Sequence, residues 1–199
     1  MSWTIFAVAI FNAMLINNVI LMQFLGICPF LGVSKKSSSA IGMSAAVAFV
    51  MITASLVTYL IYSYILVPQE ITYVSTIAFI LVIASLVQFV EMVLKKFSKS
   101  LYKSLGIYLP LITTNCAILG VAEGNISNIY TVHGAAGLGI AGFTALGTAL
   151  GFGLVIFAFS SIREKLEASN VPESWKGVPI SLVVAGIMSI AFLGLAGII

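Results

Sequence analysis

The sequence contains two cysteines, and their residue type and surroundings make them candidates for a chemical role. Cys28 begins the segment Cys-Pro-Phe-Leu-Gly, and Cys116 begins the segment Cys-Ala-Ile-Leu-Gly. Both lie in long apolar runs, where a free cysteine is usually a small buried hydrophobe. Here the motif recurs, and each copy adjoins helix breakers and hydrogen-bonding residues. This recurrence favours a functional role for the pair.

Two thiolates buried in an apolar environment need a cation to neutralise them, and a metal is the natural candidate. Two sulfurs do not complete a four-coordinate site. A symmetric partner with its own pair would bring the set to four cysteines, which can hold a [2Fe-2S] cluster, tetrahedral iron or zinc. Thr114 and Asn115 could donate hydrogen bonds to the sulfurs and tune a redox potential. Gly26 and Pro29, beside Cys28, are further candidates for shaping the site.

The composition places the chain in a membrane. Of the 199 residues, 61% are hydrophobic and 8% are charged, whereas a soluble domain carries roughly 25% charged residues. A water-facing surface cannot be built from so few charges. The net charge of +3 therefore gives no indication of a nucleic-acid partner.

The apolar runs have the length of membrane-spanning helices, which need about 20 residues. We predict an all-α integral membrane protein, a single membrane domain over residues 1–199, with six transmembrane spans. The first run lacks the preceding positive charge of a secretory signal peptide and is counted as a span. The predicted spans are 3–33, 40–66, 71–94, 105–122, 134–161 and 178–199.

The basic residues predict the orientation of these spans. Every Lys and Arg falls in the connections after the first, third and fifth spans, and the other two connections contain none. The positive-inside rule then makes the basic connections cytoplasmic and puts both termini outside. We expect a multi-pass protein of the cell inner (cytoplasmic) membrane. The residues are Lys35, Lys36, Lys95, Lys96, Lys99, Lys103, Arg163, Lys165 and Lys176.

The two cysteine motifs predict an internal repeat of inverted topology, with repeat 1 at residues 1–96 and repeat 2 at residues 100–199. Each half has three spans, so the second half enters the membrane from the opposite side. Breakers and polar residues in the first and fourth spans predict that both helices are broken. A straight first helix would leave Cys28 near the cytoplasmic surface and Cys116 roughly 20 Å deep. A shared site therefore requires irregular backbone around residues 17–29.

Three segments resemble the A subunits of the Rnf ion-translocating electron-transport complex, a family whose close relatives are the E subunits of the Na+-translocating NADH:quinone oxidoreductase. The likeness runs along the whole chain. The segments are Leu-Gly-Ile-Cys-Pro-Phe-Leu-Gly-Val-Ser-Lys-Lys at 25–36, Gln-Phe-Val-Glu-Met at 88–92, and Leu-Pro-Leu-Ile-Thr-Thr-Asn-Cys-Ala-Ile-Leu-Gly at 109–120.

The resemblance implies a membrane subunit paired with a homologous sister subunit of opposite orientation. In that family the pair holds one iron-sulfur centre with two cysteines from each chain, which makes Cys28 and Cys116 the expected ligands here. The wider complex has flavin-carrying and iron-sulfur subunits, passes electrons between ferredoxin and NAD, and couples this to Na+ or H+ movement. This chain would be one subunit of that translocase and not catalytic alone.

Other residues admit two interpretations. Glu91 in the third span is either an ion-handling residue, as the resemblance suggests, or an interfacial partner of Lys95. A stripe of small residues in the fifth span predicts close helix packing, within the chain or against the sister subunit. His133 is interpreted as a plain loop or cap histidine, with metal binding as the less favoured alternative. The stripe consists of Gly137, Ala141, Ala145, Ala149 and Gly153.

The sequence leaves alternatives to an electron-relay subunit. Inverted repeats with broken helices are also typical of secondary transporters and channels. A transporter normally carries polar or charged substrate groups on several spans, and Glu91 is the single ionisable candidate here. A structural scaffold with inert cysteines is the third possibility.

Overall fold

A computed structural model describes residues 7–8, 10–34, 37–68, 74–97, 112, 115–129, 135–169, 172 and 175–196. These residues are helical apart from short connections. The α-helices are α1 (Ile27–Val33), α2 (Ser37–Ile61), α3 (Ser75–Phe97), α4 (Cys116–Ile129), α5 (Ala135–Glu167) and α6 (Val178–Ala196). Two π-helical turns, π1 (Asn12–Ile16) and π2 (Tyr62–Leu66), precede α1 and extend α2.

The helices agree with an integral membrane protein. Within the described residues, three stretches are long and apolar enough to cross a membrane: Ala40–Leu66, Ser75–Val93 and Gly137–Leu166. Cys116–Ile126 and Val178–Gly194 are shorter apolar helices. The number of six spans, the inverted repeat and the sidedness of the termini stay predictions.

α5 is the central helix of the bundle. It packs most extensively along α2, and it also contacts π1 and α4. Ala141 and Ala145 of the predicted small-residue stripe are fully buried, and Gly153 faces Ser44 of α2. The stripe therefore serves packing within the chain, one of its two predicted roles, because small side chains let helix backbones approach closely.

Two helices extend beyond the ends that the sequence predicted. The predicted loop from residue 123 is helical as far as Ile129, since α4 continues through Glu123 and Asn125. The predicted fifth span ended at residue 161, but α5 runs to Glu167 and includes Arg163. Hydropathy marks where apolar residues end, whereas a helix continues through polar residues until a cap or a breaker ends its backbone hydrogen bonds.

Candidate metal centre

The first predicted span is interrupted within the segment where the sequence predicted irregular backbone. π1 ends at Ile16, α1 begins at Ile27, and residues 17–26 between them are non-helical. The corresponding break predicted in the fourth span falls mainly on residues outside the described part. Asn115 there is non-helical, and α4 begins at Cys116.

Side chains satisfy several backbone groups in and beside the break, as an apolar environment requires. The Asn18 amide nitrogen donates to the Met14 carbonyl at 3.1 Å, and its oxygen accepts from the Ile20 N–H at 3.1 Å. The Ser189 hydroxyl of α6 donates to the Leu21 carbonyl at 2.6 Å. Residues 18–21 are buried, so this part of the break is packed, whereas Asn17, Gln23 and Phe24 are exposed.

Because of the break, the backbone next to Cys28 is in contact with the Cys116 side chain. Gly26, two residues before Cys28, donates its N–H to the Cys116 sulfur at 2.9 Å. Gly26 has φ +82°, a left-handed conformation that glycine adopts without steric cost. A Cβ at Gly26 would lie 3.1 Å from the Phe152 ring and 3.2 Å from Ala117. Glycine is therefore required at Gly26 both by its conformation and by this close approach.

The two thiols differ in exposure. Both cysteines are free; Cys28 is exposed and Cys116 is partly exposed. Each lies at the start of a helix, Cys28 in the first turn of α1 and Cys116 as the first residue of α4. Pro29 is buried in the first turn of α1, where its missing N–H costs no helical hydrogen bond.

Asn115 provides a polar group next to the sulfur. Its side-chain oxygen accepts from the Ala117 N–H at 3.1 Å and so caps the start of α4. Its Nδ2 is buried and has no hydrogen-bond partner. A buried donor without an acceptor costs about 1–3 kcal/mol, so an acceptor supplied at this site would relieve Asn115. Thr114, predicted beside it, lies outside the described residues.

The two cysteines supply at most two of the four ligands that a tetrahedral metal centre needs. Among the described residues, no three side chains of His, Cys, Asp or Glu lie close enough to hold a metal together. A four-coordinate centre on Cys28 and Cys116 would thus take its remaining ligands from elsewhere. The exposed thiol, the N–H donor on the second sulfur and the unsatisfied Asn115 amide all suit such a centre.

The other predicted residues lie apart from this cluster in the sequence. Glu91 is half-exposed in α3, four residues before the exposed Lys95. Its ion-handling and interfacial roles both stay predictions. His133 lies outside the described residues.

A polar cavity is the feature that the sequence analysis missed. Its volume is about 460 Å³, and Asn17, Gln23, Asn125, Thr144 and Thr148 are among its lining residues. The Asn125 amide donates to the Ser55 hydroxyl of α2 at 2.6 Å, and the Thr144 hydroxyl of α5 donates to the Asn125 oxygen at 2.7 Å. Thr144 and Thr148, four residues apart on one helix face, were the available signal.

Apolar helices, an interrupted first apolar run and a contact between the two cysteine segments define a multi-pass membrane protein with a candidate metal centre. The family model of the Rnf-Nqr subunit, described as a membrane protein, matches residues 6–199. The chain belongs to this family.

Relatives of known identity match nearly the whole chain. It is 55% identical over 186 residues to the A subunit of the Na+-translocating ferredoxin:NAD+ oxidoreductase complex of Acetobacterium woodii, with 94% of each chain covered. It is 53% identical over 188 residues to the A subunit of the ion-translocating oxidoreductase complex of Colwellia psychrerythraea, again with 94% of each chain covered. The A subunit of the Pasteurella multocida complex is 52% identical, with 98% of this chain and 99% of that one covered. These matches confirm the resemblance seen in the motifs.

Proposed function

We propose that this chain is the membrane subunit of a redox-driven ion pump and relays electrons across the bilayer through a [2Fe-2S] centre shared with a homologous sister subunit. The contact between the Gly26 N–H and the Cys116 sulfur carries the proposal, because it draws the two cysteine segments together inside an otherwise apolar bundle. The names of the relatives supply the setting, an ion-translocating oxidoreductase complex.

Each residue of the site would have a defined task. Cys28 and Cys116 would bind iron as thiolates, and the sister subunit would supply the remaining two ligands. The bound centre would accept and release one electron. The Gly26 N–H and the Asn115 amide would donate hydrogen bonds toward sulfur, which favours the reduced, more negative state. Phe152 would exclude water from the Gly26 side.

Ion movement would use polar groups outside the cysteine site. The cavity between π1, α4 and α5 offers neutral amide and hydroxyl groups within the apolar helices. Glu91 on α3 is the ionisable candidate at the predicted cytoplasmic side. The coupled ion under this proposal is Na+ or H+. The flavin-carrying and iron-sulfur subunits of the same complex would deliver and remove the electrons at the inner membrane.

The second candidate function is a secondary transporter or channel subunit without a redox centre. The polar cavity and the broken first helix favour it, since both are typical of transporters. Under this alternative the cysteines would be inert, and replacing them would leave the spectra of the complex unchanged.

One experiment separates the two functions. The intact complex is purified with Cys116→Ser, and its visible absorption and EPR spectra are recorded beside those of the wild type. We expect loss of one [2Fe-2S] signal while the complex stays assembled, because serine does not replace a thiolate at this centre. Met92→Ser is the matched control, since it also exchanges a sulfur-containing side chain for serine but on an exposed face of α3. An unchanged iron-sulfur spectrum in Cys116→Ser would favour the transporter.

A further inference from the structure

The last turns of α5 contain a buried cation, Arg163, that has no role in the proposed function. Arg163, predicted to lie in a cytoplasmic connection, is only 7% exposed. Its Nη1 donates to the Leu31 carbonyl at 2.8 Å and to the Ser34 hydroxyl at 2.9 Å. Leu31 is in the last turn of α1 and Ser34 is its C-cap residue. Arg163 therefore caps α1 from a neighbouring helix.

α1 depends on such external support. It has seven residues, and helices this short are not stable alone in solution. The last carbonyls of a helix lack partners within the helix, and a cation there is also favoured by the helix dipole. Phe30 stacks on Phe159, one turn before Arg163, with ring centroids 4.1 Å apart. α5 thus holds both the middle and the end of α1.

Cys28 lies between the end of α1 that Arg163 holds and the contact with Cys116. Gly26, the N-cap of α1, donates to the Cys116 sulfur, and Leu31 follows Cys28 by three residues, roughly 4.5 Å along the helix axis. A helix of two turns moves as a unit, so displacement of its end displaces Cys28 and the Gly26 N–H as well.

We infer that Arg163 is a positioning residue of the cysteine site. By capping α1 it sets the place of Cys28 relative to Cys116, and its charge favours the reduced form of a centre held by these sulfurs. The electrostatic half of this inference, the effect of the Arg163 charge on the reduced form, rests on the proposed function. The positioning half concerns only groups of this chain.

Thiol reactivity tests the positioning role. The purified complex with Arg163→Gln is compared with the wild type by the rate at which a maleimide alkylates the partly buried Cys116, quantified by mass spectrometry. We expect alkylation roughly 10- to 100-fold faster, because the hydrogen bonds from Arg163 hold α1 in place and its Gly26 N–H covers the Cys116 sulfur. Arg163→Lys keeps the positive charge and a hydrogen-bond donor, so its alkylation rate should be intermediate. Equal rates in Arg163→Gln and wild type would overturn the inference.

Two further variants keep this result interpretable. Lys165→Gln removes the same charge from an exposed position of α5 and should leave the rate unchanged. If Arg163→Gln prevents assembly, Ser34→Ala removes one of the two acceptors and should raise the rate by a smaller factor. An unchanged rate in Ser34→Ala would then overturn the inference.

The midpoint potential of the iron-sulfur EPR signal tests the electrostatic role. We expect a more negative potential in Arg163→Gln and values near the wild type in Arg163→Lys and Lys165→Gln, because a nearby buried charge is screened less than an exposed one. An unchanged midpoint potential in Arg163→Gln would overturn the electrostatic part of the inference. If the wild-type complex lacks the iron-sulfur signal and Arg163→Gln still speeds the alkylation of Cys116, the proposed function is wrong but the positioning role is supported.

Discussion

At the scale of single residues, the cysteine site depends on a backbone amide. The Gly26 N–H reaches the Cys116 sulfur because residues 17–26 are not helical and Gly26 adopts φ +82°. Hydrogen bonds to an ionised acceptor are roughly twice as strong as neutral ones. The bond therefore gains strength if Cys116 is a thiolate, as the proposed function requires.

Gly26→Ala should disrupt this contact. The added Cβ would meet Phe152 and Ala117 at 3.1 and 3.2 Å, and alanine is strained at a positive φ. We expect a loss of about 2–4 kcal/mol of stability from strain and overpacking together, with a weakened or absent iron-sulfur signal. Thermal unfolding and EPR of the purified complex measure the two effects.

Gly177→Ala is the control for Gly26→Ala. Gly177 also has a positive φ, +96°, but nothing within 4 Å of its Cβ position. It should lose only the strain energy of about 1–2 kcal/mol and keep the signal. Equal effects of the two substitutions would show that the close contacts of Gly26 do not matter.

At the scale of elements, α5 is the support on which the broken first span lies. Gly147 approaches the Ile10 backbone and Gly151 approaches the Met14 backbone, so π1 packs directly on the helix. Further along α5, Phe159 and Arg163 hold α1. A single helix thus contacts the span on both sides of its break, which sets the distance between the two parts.

Gly151→Ala should push π1 away from α5. A Cβ there would lie 2.6 Å from the Met14 carbonyl oxygen and 3.0 Å from the Asn18 amide nitrogen, within the hydrogen bond that they form. We expect a cost of about 1–3 kcal/mol, seen as a lower unfolding temperature of the complex in detergent. Gly186→Ala, in α6 with nothing within 4 Å, should be neutral or slightly stabilising. Similar melting of both variants would contradict this tight packing.

At the scale of the whole molecule, apolar surface and charge predict how the chain sits in the bilayer. Large apolar side chains such as Ile77, Leu81 and Ile190 are exposed on α3 and α6. Such faces suit lipid or a sister subunit, not water. The basic residues follow alternate predicted spans, which under the positive-inside rule puts both termini outside.

Reporter fusions test this orientation. Alkaline phosphatase fused to the C-terminus should be active, because it folds only outside the cytoplasm, and a fluorescent protein at the same place should be dark. The same reporters fused after Ser98, in a basic connection, should behave in the opposite way. A fluorescent C-terminal fusion would contradict the six-span topology.

The membrane class, the family and the position of the break in the first span could all be predicted from the amino-acid sequence. They follow from properties that are local in the chain: long apolar runs, the cysteine motifs, and polar residues and breakers at Asn17, Asn18 and Gly26. Such residues destabilise a helix in an apolar environment wherever it packs, so the break could be predicted without knowing its neighbours.

Which groups meet at that break became visible only in the folded chain. The bond from Gly26 to Cys116 and the cap from Arg163 to Leu31 join residues far apart in the sequence. The sequence predicted that Arg163 lies in a connection exposed to water, because hydropathy depends on the side chain alone and not on the groups that it contacts in the fold. Contacts of this kind depend on the packing register of α5 against the broken span, and no local pattern contains that register.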